Sequence, residues 1–188
     1  MTIVPSALKL NSEVNMETLK ALATRRSTRE FLDRSVETEK IKKILSAGMS
    51  GPSAVNARPF EFIVVEDKEM LLKMADGNGR AANPLRGAAL GILVCGNLEN
   101  AYSGAPDYWT VDCTIACQNM ILAAHDMGVG SVWLGTYPQS NKMQAQSEIF
   151  SLPEHIIPHS IIAFGYAKVE KCEERDLYDE NKVHFERW

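Results

Sequence analysis

Apolar residues recur at intervals of three and four along several stretches of the chain, which is the spacing of one helix face. The pattern predicts helices over Val14 to Thr24, Val36 to Ala47 and Tyr108 to Met127, and another from about Asn141 to Phe150. Asp67 stands where it can cap a shorter helix that reaches about Ala75. The apolar stripe of Tyr108 to Met127 is wide, so we expect this helix to be covered on most sides.

Short apolar runs between these helices predict strands. They are Pro59 to Val65, Ala88 to Cys95, Ser131 to Leu134 and Ser160 to Gly165. Ala88 to Cys95 is apolar at every position, as expected for a buried central strand. Gly77 to Gly87 is rich in turn-forming residues and is predicted to be a loop. The alternation of helices and strands favours an α+β or α/β fold over all-α and all-β folds.

The C-terminal tail, Lys168 to Trp188, differs from the rest of the chain. It is highly charged until Val183, Phe185 and Trp188 appear at nearly alternate positions. Large apolar side chains on an extended segment need a surface that buries them. A partner subunit could supply that surface.

Composition and charge narrow the class of protein. With 188 residues, 45% of them apolar, the chain is expected to form a single domain over residues 1–188. A net charge of -4 argues against a nucleic-acid binder, because such proteins use surplus Lys and Arg to neutralise phosphates. Neither a signal peptide nor an uninterrupted apolar stretch of about eighteen residues is present, so we expect a cytoplasmic protein without a membrane partner.

The densest cluster of cations follows the first predicted helix. Arg25, Arg26, Ser27, Thr28 and Arg29 place three guanidinium groups and two hydroxyls within five residues. Guanidinium groups match phosphate oxygens in two-point geometry, and hydroxyls with turn amides can complete a phosphate site. The alternative is a solvated basic turn, since cations are favoured at a helix C-terminus.

Two glycine-containing segments could approach a flat ligand closely. Gly51 to Asn56 is a turn of small residues that ends in an amide side chain, although an ordinary loop is also consistent with it. Gly128 to Gly135 resembles a dinucleotide fingerprint, but it follows a helix and enters a strand, the reverse of the order that a Rossmann site needs. We therefore reject a Rossmann site there.

Other site chemistries have little support. Pro158 separates His155 from His159, which argues against a zinc site on a shared helical face. Cys113 and Cys117 share a helical face and are interpreted as buried, inert thiols. No CxxC pair, GxSxG elbow or GxxxxGK[ST] loop is present, and all four cysteines, Cys172 included, are expected to be reduced.

Taken in order, several motifs resemble the nitroreductase family. They are Arg25 to Phe31, Gly51 to Asn56 with Pro59 to Phe62, Gln118 to Ala124, Gly128 to Gly135, Ile157-Pro158 with Phe164 to Tyr166, and His184 to Trp188. The resemblance implies an α+β fold with a mixed central β-sheet flanked by helices. It also implies a homodimer with a swapped C-terminal arm, about residues 168–188.

The resemblance also assigns site residues. It implies that the phosphate and ribityl chain of FMN are held by Arg25, Arg26, Ser27 and Arg29, with Arg175 as a further contact. Residues that would approach the flavin from the other subunit are Pro52, Ser53 and Asn56. Residues that would lie along the isoalloxazine ring are Trp133, Leu134 and Gly135. No catalytic side chain is implied, because the flavin carries the chemistry.

The implied activity is hydride transfer from NADH or NADPH to FMN and then to a nitroaromatic, a quinone or a similar acceptor in a ping-pong cycle. Alternatives are an FMN-dependent dehalogenase or flavin-fragmenting relative, a flavin-binding module without turnover, and a domain with no cofactor. Arg58 and Phe60 stand where Gln and Trp are frequent in the family, and Ala167 stands where Pro is usual. These departures leave the substrate preference open.

Overall fold

Four strands form one antiparallel sheet in the computed structural model, which describes residues 17–169 and 173–188. The strands are β1, Phe60–Val65; β2, Leu90–Asn97; β3, Gly130–Gly135; and β4, Ile156–Gly165. Their spatial order is β1-β2-β4-β3, and every neighbouring pair is antiparallel. The expectation of a mixed sheet is corrected here, because parallel pairing among the described residues is confined to the isolated bridge between Ser27 and Ser131.

The two inner strands are covered on both faces. In β2, Ile92 and Val94 belong to one apolar cluster, whereas Leu93 and Cys95 belong to another on the opposite face. Successive side chains of a strand point to opposite faces, so a strand covered on both sides is apolar throughout. This confirms the prediction of a buried central strand from the apolar run Ala88 to Cys95.

Five helices flank the sheet among the described residues. They are α1, Thr18–Thr24; α2, Thr38–Met49; α3, Lys68–Asn78; α4, Tyr108–Asp126; and α5, Ser140–Phe150. The apolar cluster that contains Ile92 holds both α2 and α4, and α3 belongs to the other cluster. The carboxylate of Asp67 accepts a hydrogen bond from Met70 N at 2.8 Å, which confirms the predicted cap. The predicted helix start at Val14 and the thiol of Cys172 lie outside the described residues.

The segment predicted as a loop, Gly77 to Gly87, is more regular than expected. Helix α3 continues to Asn78, and Arg80–Gly87 forms a 3₁₀ segment. Ala82 and Leu85 of this segment are completely buried. These two apolar anchors fix the turn against the core, which local sequence, rich in Gly and Asn, does not reveal.

Strand β4 begins four residues earlier than the predicted strand. Val94 pairs with Ser160 and Cys95 pairs with Pro158, so His159 is the extra residue of a β-bulge. The ladder with β3 ends at the pair of Gly135 and Ser160, so Pro158 lies where β4 has no ladder partner on that side. A proline without an N–H is tolerated there, although it argues against a strand in the sequence.

No helix within the described part of the chain is both long enough and apolar enough to span a bilayer.

Candidate functional site

The basic turn lies in the wall of a cavity of about 600 Å³. Arg25, Arg26, Ser27 and Arg29 all line it, together with Gly128 to Ser131 at the start of β3. Thr28 N donates to Ser131 O at 2.8 Å, which holds the turn against the edge of the sheet. The structure therefore brings together four of the residues that the sequence assigns to phosphate binding.

Three guanidinium groups and two carboxylates, those of Glu30 and Asp126, line the cavity, so positive charge is in excess. Burial, and then the nearby Arg175 and Arg26 guanidinium groups, lower the pKa of Arg25. A cation surrounded by other cations is stabilised by an anion, and guanidinium groups bind phosphate through charge-assisted, two-point hydrogen bonds. The electrostatics of this cavity thus fit a phosphate group.

The C-terminal end of α4 adds two side chains to the cavity that the sequence reasoning missed, His125 and Asp126. His125 Nε2 lies 2.8 Å from Thr24 Oγ1, whose hydroxyl donates to Lys20 O. This hydrogen bond joins the C-terminal end of α4 to the end of α1. Burial, followed by the charge of Arg25, lowers the pKa of His125. No local motif marks His125, since it comes from a helix about a hundred residues away from the turn.

Arg26 and Arg175 make contacts that differ from those of Arg25 and Arg29. Arg26 Nη1 donates to the carbonyl oxygens of Ala23, Thr24 and Arg25 at 2.9 to 3.2 Å, and Arg26 Nη2 donates to Glu173 O. Arg175 Nη2 donates to Arg25 O at 2.9 Å. Both guanidinium groups therefore bind backbone at the end of α1. Arg29 is exposed, and its Nη1 lies 3.5 Å from Ser27 O.

The loop with Pro52, Ser53 and Asn56 lies far from the basic turn of the same chain. Ala54 N donates to Asp112 Oδ1 at 3.0 Å, so the loop is fixed near the N-terminal end of α4. His125 is on the same helix and 13 positions further on (125 − 112), which is roughly 20 Å at 1.5 Å per residue. One chain thus holds the two predicted groups of flavin contacts at opposite ends of α4.

The three residues at the end of β3 differ in their exposure to solvent. Leu134 is buried in the core and Trp133 is half-buried. Gly135 is exposed, and open space lies where a side chain would project from it. Its carbonyl oxygen accepts hydrogen bonds from Asn78 Nδ2 at 3.2 Å and from Lys142 Nζ at 3.3 Å. At this position a planar ligand could approach the backbone closely.

An aromatic cluster next to β3 surrounds His159, which the sequence reasoning considered only as a zinc ligand. The rings of Trp109 and Trp133 meet the imidazole edge-on at centroid distances of 5.8 and 6.0 Å, and the ring of Tyr137 stacks on it at 6.3 Å. His159 Nδ1 also lies 3.0 Å from Ser160 Oγ. Burial lowers the pKa of His159 to about 4, so the ring is neutral at pH 7.

Acid is expected to destabilise the fold through His159. Its pKa is about 4 in the folded chain and 6.5 ordinarily, so the unfolded chain binds more protons in this window. Stability is therefore lost as the pH falls from about 6.5 to about 4, by up to about 3 kcal/mol from this group. Urea unfolding at several pH values measures the loss, and His159→Gln, which cannot titrate, serves as the comparison. Equal pH dependence of both proteins would contradict the assignment.

The thiols and imidazoles do not form a metal site among residues 17–169 and 173–188, where no three potential His, Cys, Asp or Glu ligands are grouped. Cys113 and Cys117 are buried, as predicted, and burial raises the pKa of both thiols. A thiol with a raised pKa is a poor nucleophile and a poor ligand. The interpretation of these two cysteines as inert is consistent with both observations.

Comparison with known proteins places the chain in a family. The model of the nitroreductase family matches residues 22–81 and 78–166. A Methanothermobacter thermautotrophicus protein, named as a candidate NADH dehydrogenase/NAD(P)H nitroreductase, is 44% identical over 173 residues, which cover 92% of this chain and 88% of that protein. The chain therefore belongs to the nitroreductase family, which confirms the prediction from its motifs.

Two further relatives carry FMN in their names. The solved structure of an FMN-dependent nitroreductase from Clostridium difficile R20291 is 31% identical, with a TM-score of 0.83 over 90% of this chain and 99% of that one. An FMN reductase [NAD(P)H] from Bacillus subtilis is 26% identical and aligns with 92% of this chain and 74% of its own length. The observed arrangement of helices and sheet is therefore the nitroreductase fold.

Proposed function

We propose that the protein is an FMN-dependent oxidoreductase that takes hydride from NADH or NADPH and reduces a small organic acceptor such as a nitroaromatic or a quinone. The observation that carries the proposal is the arginine-lined cavity of about 600 Å³ beside β3, in a chain of the nitroreductase family. The names of the relatives support FMN as the cofactor and NAD(P)H as the donor.

The residues of the cavity fit the phosphate end of FMN. Arg25 and Arg29 would supply charge, Ser27 a hydroxyl, and the turn its backbone amides. Arg26 would act mainly by holding the turn in shape, because its guanidinium group already binds four carbonyl oxygens. Arg175 would contribute positive charge next to Arg25, whose carbonyl oxygen it binds.

The flavin ring would lie along the end of β3. Gly135 leaves open space there, and the buried side chain of Leu134 fixes the strand from the core side. Bound FMN supplies the chemistry by accepting hydride and passing it on, while the protein excludes water and orients both reactants. Donor and acceptor would bind in turn to the same accessible face of the flavin ring, which would give a ping-pong cycle.

The complete site would need two copies of the chain. Pro52, Ser53 and Asn56 lie at one end of α4 and the basic turn at the other, so a second copy would bring the loop to the flavin. The tail supports the same conclusion, because Phe185 is 83% exposed and Trp188 is completely exposed. We propose a homodimer in which the outer part of each tail, residues 177–188, packs on the other subunit, because residues 173–175 already bind the basic turn of their own chain.

An absorption spectrum tests cofactor, donor and turnover together. The purified protein is expected to show flavin bands that bleach on anaerobic addition of NADH or NADPH and return when a quinone is added. A colourless protein that takes up no FMN would overturn the proposal. A yellow protein that neither nicotinamide bleaches would instead indicate a flavin-binding module without turnover.

A further inference from the structure

The loop that carries Ser53 and Asn56 has an unusual backbone. Val55, Asn56 and Arg58 adopt positive φ values of 46°, 59° and 53°. Residues other than glycine rarely enter this left-handed region. Asparagine tolerates it better than most, and a β-branched residue such as Val55 is the least suited to it. Three such residues within four positions persist only if contacts elsewhere hold the loop in place.

One of these contacts reaches the loop from the middle of the protein. Asp112 projects from α4, is only 3% exposed, and accepts a hydrogen bond from Ala54 N at 3.0 Å. The other bonds of the loop join it to itself or to the end of α2. Arg58 N donates to Ser53 Oγ at 2.9 Å, and Arg58 Nη2 donates to Met49 O at 2.7 Å. Asp112 is thus the side chain that ties the loop to the central helix.

The second carboxylate oxygen of Asp112 is in an energetically unfavourable environment. Oδ2 is buried and has no hydrogen-bond partner among the described residues. A buried polar atom without a partner is unfavourable for folding, so any favourable contribution of Asp112 comes from its other contacts. Here the other contact is the bond to Ala54, immediately before the strained residues.

We propose that Asp112 is a positioning residue that holds the Ser53 to Arg58 loop so that Asn56 meets the flavin bound by the other subunit. This inference rests on the proposed function. Val55, at the tip, is 71% exposed, so the loop projects from the surface where a second copy can receive it. Asp112 itself touches no reactant and acts through the backbone of the loop.

Three variants test the role of the hydrogen bond. Asp112→Ala removes the acceptor, whereas Asp112→Asn keeps an acceptor oxygen at the same place. Asp107→Asn is the matched control, because Asp107 is the exposed N-cap of α4 and its side chain makes no capping bond. At saturating FMN, Asp112→Ala is expected to show a bound-flavin spectrum shifted toward that of free FMN, and reduction by NAD(P)H slowed about tenfold or more. Asp112→Asn and Asp107→Asn are expected to match the wild type within about twofold.

The readouts separate positioning from mere stabilisation. A purely structural Asp112 would lower the melting temperature and leave the flavin spectrum and the reduction rate unchanged, and that result would overturn the proposal. So would an Asp112→Asn variant as impaired as Asp112→Ala. If the wild type binds no FMN, the proposed function fails and the role of Asp112 fails with it, whereas a flavin-loaded wild type with unaffected variants overturns the role of Asp112 alone.

A second route breaks the same bond from the loop side. Ala54 is the first residue of a short 3₁₀ turn, a position that tolerates proline, and Ala54→Pro removes the N–H while leaving α4 unchanged. This variant keeps the test available if Asp112→Ala does not fold. We expect the same spectral shift and slower reduction, and a wild-type spectrum and rate for Ala54→Pro would overturn the proposal.

Discussion

Replacing Arg25 and Arg29 together by alanine is expected to give a folded protein that purifies without FMN. Both guanidinium groups line the cavity beside β3, and neither supports the apolar core. A hydrogen bond to a charged group contributes about 1.5–3 kcal/mol, so the loss of two weakens FMN binding about a hundredfold or more. The ratio of flavin to protein absorbance measures occupancy, and fluorescence titration of the apoprotein with FMN gives the affinity.

A matched control tests whether FMN is lost because the cavity is altered or because the protein has lost positive charge. Arg80 is exposed at the start of the 3₁₀ segment and does not line the cavity, so Arg80→Ala should retain FMN. The double variant should keep the far-UV circular dichroism of the wild type. A fully yellow double variant would show that the phosphate is bound elsewhere.

Removal of residues 177–188 is expected to produce a monomer that has lost most of its FMN. The deletion keeps Glu173, whose carbonyl binds Arg26, and Arg175, which binds the turn, so the phosphate end stays intact. It removes Leu177, Tyr178, Phe185 and Trp188, all largely exposed in one chain. Burial of such side chains against a partner contributes about 25 cal/mol per Å² of apolar area. Sedimentation velocity measures the mass of the assembly.

Two finer changes identify which part of the tail matters. Phe185→Ala with Trp188→Ala should weaken the dimer strongly, whereas Lys182→Ala, an exposed cation in the same tail, should not. An intact, flavin-loaded dimer of the shortened chain would rule out the tail as the source of subunit contact.

The elements that could be predicted from the sequence are those with a local cause. Helix α4 carries its own apolar stripe, strand β2 is apolar at every position, and Asp67 caps α3 as its sequence position indicates. The 3₁₀ segment and the early start of β4 could not be predicted. The 3₁₀ segment is ordered because Leu85 packs into the core. Pro158 is tolerated in β4 because β3 ends beside it.

The candidate site likewise contains some residues that could be predicted from the sequence and others that could not. Arg25, Ser27 and Arg29 are neighbours in sequence, so their joint presence in the cavity follows from a local motif. His125 and Asp112 belong to α4, and nothing around them distinguishes them from other polar residues of a long helix. Only the packing of α4 against the turn and the loop gives them their positions, and such long-range contacts leave no periodic signal in one sequence.

The Arg26 guanidinium group joins the end of α1 to Glu173, which lies near the start of the tail. Any ligand that orders the basic turn therefore also orders the root of the tail, and thermodynamic linkage requires the converse. Under the proposed function, cofactor loading and quaternary assembly become one coupled equilibrium. Chains that lack FMN would then be largely unassembled, and such chains are degraded more readily than the loaded enzyme.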